Sequence, residues 1–430
     1  MNIILDTPLE VRLLVLFFVG TWIGSVANWA AYTFCRDPLD ASPWSRGYPR
    51  SGTALWLDRL PLVGWLRARP TGKNFQQAGW LRPFLIEFLS GLAVAGLYLW
   101  EIGELKLVFN AVWRVDAAFI TTLHLEYLSH VILLAFMIPI SLIDIDERQI
   151  PDELTVPGTM LGLMLAAILP LSMMPAATVD INMRPGGGLL MNAKWEQHPL
   201  HIASPNPWPA ELHTDLGLHL GLACYLAWCS ALLPRTWYAR HGIGRALQLC
   251  AARICRERWS AQVAVLAAVG ALAITFTWSR GGDSWQGLLT ALVGLAVGGG
   301  LIWGVRIIGS AALGREAMGF GDVILLAMIG AFLGWQPVLF AFFLSPFAGI
   351  VLGLFQFLVK GDNSLPFGPF LCVGAIVTVM FWVPLWTAVA TVFAPGFLVP
   401  GAMAVCLLLT GVLLLLLRAV KAAFSRSRAR

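Results

Sequence analysis

Apolar runs alternate along the chain with short breaks rich in charge, proline or glycine, and the runs are long. Measured against the ~20 apolar residues that a helix needs to cross a bilayer, about eleven runs are candidate spans. They centre near Gly20, Ala93, Leu134, Leu163, Ala223, Ala268, Gly298, Ile329, Gly349, Val379 and Leu408, with the run at Ile329 the shortest. This pattern predicts an all-α, polytopic transmembrane helical bundle of about 11 spans, with a mostly irregular N-terminal cytoplasmic loop. The stretch Val11 to Trp29 lacks a basic segment before it and a small-residue cleavage site after it, so it reads as a retained first span rather than a signal peptide.

Composition supports a membrane protein. Of 430 residues, 58% are hydrophobic and 12% charged, where soluble domains have roughly 45–50% and 25%. The mean hydropathy is +0.74. The seven cysteines, Cys35, Cys224, Cys229, Cys250, Cys255, Cys372 and Cys406, form no C-x-x-C pair, so neither zinc nor a disulfide framework is expected and they read as small apolar packing residues.

Lysine and arginine orient the spans, because short loops rich in them stay cytoplasmic. The segment Cys35 to Pro83 carries Arg36, Arg46, Arg50, Arg59, Arg67, Arg69, Lys73 and Arg82, and Pro234 to Trp259 carries a further six arginines. The tail adds Lys421, Arg426, Arg428 and Arg430. Loops around Asn110, Pro185 and Gly282 are poor in both types. An odd number of spans, N-terminus outside and C-terminus cytoplasmic, satisfies every loop in an inner-membrane, multi-pass protein. Topology then accounts for the net charge of +5, and no nucleic-acid partner is implied. The expected divisions are a first span (1–34), a basic cytoplasmic loop domain (35–83), a membrane-embedded domain (84–420) and a basic tail (421–430). The outer stretch from about Met173 to His213, with its glycine run Gly186 to Gly188 and Pro205-Asn-Pro-Trp-Pro209, reads as an irregular surface loop.

Two acidic sites lie at the same predicted face. One is Asp144-Ile-Asp146-Glu147-Arg-Gln-Ile150-Pro151-Asp152, where an apolar run ends; the other is Gly319-Phe-Gly321-Asp322, which opens the run Val323 to Leu333. A carboxylate at the boundary of a span is costly to desolvate and asks for a function or a solvated position. Two carboxyls a few Å apart do not both ionise easily; one keeps a proton, and the pair can activate a water while donating to a peptide carbonyl. Gly319 and Gly321 allow close backbone approach and a departure from helical geometry. Structural roles compete with this reading: Asp322 as a helix N-cap, Asp144, Asp146 and Glu147 as a solvated loop, and Pro151 with Asp152 as a helix start.

The combination resembles the type IV prepilin peptidases. Asp144 with Ile150-Pro151-Asp152 and Leu154-Thr155 is similar to their first catalytic motif, and Arg315-Glu316-Ala-Met-Gly319-Phe-Gly321-Asp322 to their second. Leu365-Pro-Phe-Gly368-Pro-Phe-Leu371 resembles the signature that opens a late helix, and Gly24-Ser25-x-x-Asn28, Arg59 to Leu66 and Pro83-x-x-x-Glu87 are similar to the N-terminal part. The resemblance implies an intramembrane aspartyl endopeptidase. Its catalytic residues are Asp144 and Asp322, supported by Gly319, Gly321, Pro151, Asp152 and Glu316, with Asp146 and Asp152 as alternatives to Asp144. It further implies prepilin or pseudopilin substrates of type IV pili or type II secretion, whose basic leader precedes an apolar helix, within a membrane of lipids. Proteolysis needs no cofactor; S-adenosylmethionine enters if N-methylation of the new N-terminus is retained.

The chain departs from the pattern in lacking the cysteine pairs of the first cytoplasmic loop, in carrying Ile324 where a lysine is usual, and in its insertions at 173–213 and 234–259. A transporter or proton pathway built on boundary carboxylates and an inactive pilus-assembly scaffold are the competing functions. Oligomeric state is not encoded in any motif.

Overall fold

The computed structural model describes residues 7–36, 56–67, 80–109, 117–177, 182–183, 189–190, 197–233, 256–314, 316, 318–360, 366–396 and parts of 398–416. Much of the basic loop, the glycine run Gly186 to Gly188, most of the 234–259 insertion, Arg315, Ala317, Leu365 and the basic tail lie outside these residues.

Helices dominate: α1 (Leu9–Thr33), α2 (Val63–Arg67), α3 (Leu81–Tyr98, continued by a π-helical turn Leu99–Gly103), α4 (Ala117–Glu147), α5 (Asp152–Ile168), α6 (Asp215–Ala231), α7 (Arg258–Arg280), α8 (Gly282–Leu313), α9 (Phe320–Leu333), α10 (Trp335–Lys360), α11 (Gly368–Met380) and α12 (Trp382–Phe393). Four short strands, β1 (Pro175–Ala177), β2 (Asn182–Met183), β3 (Leu189–Leu190) and β4 (Gln197–Pro199), form two antiparallel pairs, β1 with β4 and β2 with β3. The centres of the first ten candidate spans fall on α1 and α3 to α11 in order.

The protein is a polytopic helical membrane protein. Five helices, Leu9–Thr33, Leu81–Gly103, Phe119–Glu147, Arg258–Arg280 and Gly282–Ala312, are long and apolar enough to cross, and the pair α11–α12 adds a sixth if taken as one span bent by 86°. Helix length thus supports five or six crossings among the described residues, fewer than the eleven apolar runs. Several runs are too short for ~20 residues of bilayer: α9 has 14 residues and α11 has 13.

Helix α9 is the centre of the bundle. All of its residues from Asp322 to Leu333 are buried, as a helix apolar on every side requires. Its neighbours approach through glycines. In α5, a Cβ on Gly162 would meet the Phe332 ring at 2.8 Å. In α8, Gly294 and Gly330 of α9 press on each other's carbonyl oxygens, and Gly298 presses on that of Leu326. Without a hydrophobic drive between helices in lipid, such small-residue contacts let backbones pack closely. Gly330→Val inserts an isopropyl group where backbone already stands, and it is expected to lower stability by roughly 1–3 kcal/mol or more. Thermal unfolding in detergent checks this.

The N-terminal helices pair in the same way. Gly20 and Gly24 of α1 meet Ser90, Gly91 and Glu87 of α3, with a Cβ at Gly20 only 2.6 Å from the Ser90 carbonyl oxygen. Glu87, 1% exposed, is the hub of this junction. Its carboxylate accepts hydrogen bonds from the Leu62 N–H (2.6 Å), Trp65 Nε1–H (2.8 Å) and, more weakly, Asn28 Nδ2–H (3.5 Å), and Ser25 bonds it as well. Asn28 also donates to the Pro83 carbonyl (2.9 Å). Three N-terminal motifs separated in sequence therefore meet at one carboxylate.

Among the described residues of 173–213, the segments 173–177 and 200–204 are not surface-lying as expected but pack into the bundle. Met173, Met174, Ala176, Ala177 and Leu200 are buried. Four tryptophan indoles from the helices donate to its carbonyls: Trp382 to Pro175 (2.5 Å), Trp386 to Ala177 (3.4 Å), Trp335 to Ile202 (2.8 Å) and Trp285 to Leu212 (2.8 Å). Buried backbone polar groups need partners, and these distant indoles supply them, which proline and glycine content alone does not reveal. Within this plug, burial and the adjacent ring of His198 push the His201 pKa down to about 4. A neutral native imidazole binds fewer protons than its unfolded counterpart, titrating near 6.5, so its stabilisation is complete above pH 6.5 and is lost as pH falls toward 4. Hydrogen exchange of residues 197–204 should therefore show increased local opening at pH 5 over pH 7, and His201→Gln should flatten that difference.

Candidate active site

The first acidic site sits where α4 stops. The helix ends at Glu147, Arg148 takes a left-handed φ of 57° while its N–H still bonds the Asp144 carbonyl (2.9 Å), and Pro151, extended at φ −74° and ψ 133°, starts α5. A proline has no N–H to bond back to a preceding turn, which suits it to a helix N-terminus. The three acids here part company. Asp144 is 5% exposed and points inward. Asp146 pairs with Arg82 at 2.7 Å, both side chains 45% exposed. Glu147 accepts the Arg36 N–H at 2.7 Å. Asp146 and Glu147 thus fasten the N-terminal segment to the end of α4. Asp152 lies half-buried in the first turn of α5 beside Glu153, where negative charge complements the helix dipole.

The second site opens α9. Gly319 is the N-cap residue, and Asp322, 8% exposed, stands three positions on, its carboxylate accepting the Gly319 N–H. This is the backward half of a capping box, so Asp322 helps to begin the helix without being its N-cap residue.

The two carboxyls converge. Asp144 and Asp322 are close enough to feel one another's charge, and both act on Cys372 of α11, which also bonds Ser141. A third segment completes the site: the Gly368 N–H donates to Asp144 Oδ2 at 3.0 Å. A Cβ at Gly368 would stand 2.6 Å from that oxygen, so only glycine fits without displacing the carboxylate. Ile150 packs into both remaining gaps; a Cβ on Gly321 would meet its Cβ at 2.7 Å, and one on Gly368 its Cδ1 at 3.1 Å. Gly321 is thus small because Ile150 of the first motif occupies its side-chain space.

Glu316 is placed elsewhere. It is exposed and pairs with Arg306 of α8, which also donates from Nε to the Met318 carbonyl (3.0 Å) and lies 5.5 Å from the Phe320 ring centre. Arg306 lies outside every motif read from the sequence, and Ile150 and Gly368 lie in motifs that assign them no role. Arg306 had a signal, as the lone cation of the run 282–313 in an otherwise apolar span; the partners of Ile150 and Gly368 lie too far along the chain to be read. Among the described residues no three His, Cys, Asp or Glu side chains form a group able to hold a metal.

With this geometry in place, comparison with known proteins becomes informative. Residues 259–354 match the type IV leader peptidase family. The match contains Asp322 and ends before Gly368; Asp144 lies upstream, beyond the insertions. Proteins named prepilin leader peptidase/N-methyltransferase are similar to the chain: one from Pseudomonas putida is 34% identical over 100 residues, 23% of this chain and 35% of the relative. One from Pseudomonas aeruginosa is 34% identical over 94 residues (21% and 32%), and one from Legionella pneumophila 40% identical over 71 (16% and 24%). The chain thus spans about a third or less of the length of these curated relatives. No solved structure matches it. The resemblance to type IV prepilin peptidases, first read from motifs, is supported by these comparisons.

Proposed function

We propose that the protein is an intramembrane aspartyl endopeptidase that removes the basic leader of type IV prepilins or type II secretion pseudopilins at the cytoplasmic face of the inner membrane. The observation that carries this reading is the convergence of Asp144 and Asp322, from two helices far apart in sequence, into one buried site with a glycine N–H on each carboxylate. In the proposed reaction the ionised carboxyl takes a proton from a bound water, whose oxygen attacks the scissile carbonyl; the protonated carboxyl donates to the carbonyl oxygen. Collapse of the tetrahedral intermediate breaks the C–N bond, and the amine leaves with a proton returned by the pair. No covalent enzyme species forms. The backbone donors hold the carboxylates in place before substrate arrives, as preorganised sites require.

Methyl transfer from S-adenosylmethionine to the new N-terminus rests on the motif resemblance and on the N-methyltransferase named in the relatives. The described N-terminal residues do not fit a cofactor cradle: the Glu87 carboxylate is engaged by four donors, and Gly20, Gly24 and Gly91 are filled by neighbouring helices. No step is derived through that cofactor.

Co-expression of the intact protein or Asp322→Asn with a tagged prepilin, read by gel shift and mass spectrometry, tests the proposal. Leader loss with the intact protein alone is the expected result, and the product mass reports methylation in the same experiment. An intact, membrane-inserted protein that leaves prepilins uncut would favour the transporter or scaffold reading.

A further inference from the structure

A cavity of about 310 Å³ lies between α3, α4 and α11. Leu92 and Gly96 of α3, Leu134 and Met137 of α4, and Ala375 and Val379 of α11 give it apolar walls. Its polar lining groups are already satisfied. His130 is held by Glu101 Oε1 at Nδ1 (2.8 Å) and by the Met174 sulfur at Nε2 (3.1 Å), and Trp100 Nε1–H donates to the Met380 carbonyl (2.9 Å). An occupant therefore meets hydrocarbon and not free donors.

The cavity is aligned with Asp144 and with Gly368, which holds it, since α4 stays helical through Pro139. At about 100° per residue, Met137, Leu133 and His130 fall within about 40° of Asp144 around α4. Ala375 and Val379 fall within about 20° of Gly368 around α11. At 1.5 Å rise per residue the cavity extends from about 10 to about 21 Å from Asp144, away from the end of the bundle where the aspartates stand. Its far end is closed by Trp100, which bonds Met380 and stands edge-on to Phe381 at 6.0 Å. Its side is open: Leu92 is 48% exposed, and a Cβ on Gly96 would meet nothing within 4 Å. Small residues on both flanking helices, Ala93, Gly96 and Ala375, suit close approach of another helix backbone.

We propose that this cavity receives side chains of an apolar helical segment of the peptide cut at Asp144 and Asp322, which lies along its open side on the bilayer side of the scissile bond, so that the α3–α4–α11 groove selects substrates by that segment. The inference rests on the endopeptidase reading. A helix of about 14 residues fills the distance from the aspartates to the Trp100 stop, and a segment seated there reaches the carboxyls along one face of α4.

The test uses the full-length protein in membranes. Gly96→Trp fills the groove from a position with empty space, and two substrates are compared: a tagged prepilin and a peptide truncated shortly after the scissile bond. The expected result is a fall of about tenfold or more in kcat/KM for the prepilin, carried by KM, with the truncated peptide unaffected. In parallel, a photo-crosslinking side chain replacing Leu92 in the Asp322→Asn background should capture the prepilin through its apolar segment. Crosslinks to lipid only, or to a second copy of this chain, overturn the proposal, as does an unchanged prepilin KM in Gly96→Trp. If the truncated peptide is not cut at all, the crosslink decides. Cleavage by Asp322→Asn at the intact rate defeats the endopeptidase reading, whereas the crosslink reports on the groove without any turnover.

Discussion

Asp144→Asn and Asp322→Asn are each expected to lower leader removal by about 10²–10⁴-fold or more, the range lost when a positioned acid or base is deleted. The amide keeps the shape of the carboxyl, and at Asp144 it can still accept the Gly368 N–H, so insertion and folding should persist. What it cannot do is exchange a proton with water or carbonyl. Asp146→Asn is the matched control from the same motif. It loses an ion pair to Arg82 that is 45% exposed on both sides, and exposed pairs contribute about 0–1 kcal/mol, so cleavage should stay near the intact rate. Gly368→Ala should be intermediate, because its methyl carbon would stand 2.6 Å from Asp144 Oδ2 and displace the carboxylate without removing it. Full cleavage by either Asn variant, measured on membranes with equal protein, would sink the assignment of that aspartate.

Glu87→Ala is expected to give the largest structural effect, releasing residues 60–66 from the α1–α3 pair. Three donors lose this acceptor at once, the Leu62 N–H, Trp65 Nε1–H and Ser25, while Asn28 Nδ2–H loses its weaker partner and keeps the Pro83 carbonyl. Each buried donor left unpaired costs roughly 1–3 kcal/mol, though groups that reach water recover part of it. A loss of about 2–4 kcal/mol is therefore expected, less than the simple sum because some of the freed groups reach water. Limited proteolysis should then cut at Arg59 or Arg67 in Glu87→Ala and spare the intact protein, with Glu87→Gln falling between. Equal protease resistance of Glu87→Ala would show that helix packing at Gly20, Gly24 and Gly91 holds this segment unaided.

Much of this architecture was legible from the chain itself. Apolar runs placed helices correctly from Gly20 to Val379, because a spanning segment must satisfy its backbone locally and be apolar over its length, both of which are one-dimensional properties. The acidic motifs were legible for a related reason: a carboxylate at the end of an apolar run is costly unless it has a task. The number of crossings was not, since a run marks hydrophobicity while a crossing requires length and direction. At α11 and α12 the direction turns by 86°.

The 173–213 stretch shows where reading by composition stops. Proline and glycine mark an irregular backbone, but whether that backbone faces water depends on Trp285, Trp335, Trp382 and Trp386, which lie far along the chain and donate to its carbonyls. The same limit applies at the site. The sequence by itself determined a helical membrane protein with Asp144 and Asp322 at the ends of apolar helices. Only the tertiary structure decided that Asp146 and Glu316 pair outward with Arg82 and Arg306, that Ile150 fills the space at Gly321, and that the Gly368 N–H holds Asp144. Local preferences act over a few neighbouring residues, whereas these contacts join segments brought together only by packing around α9.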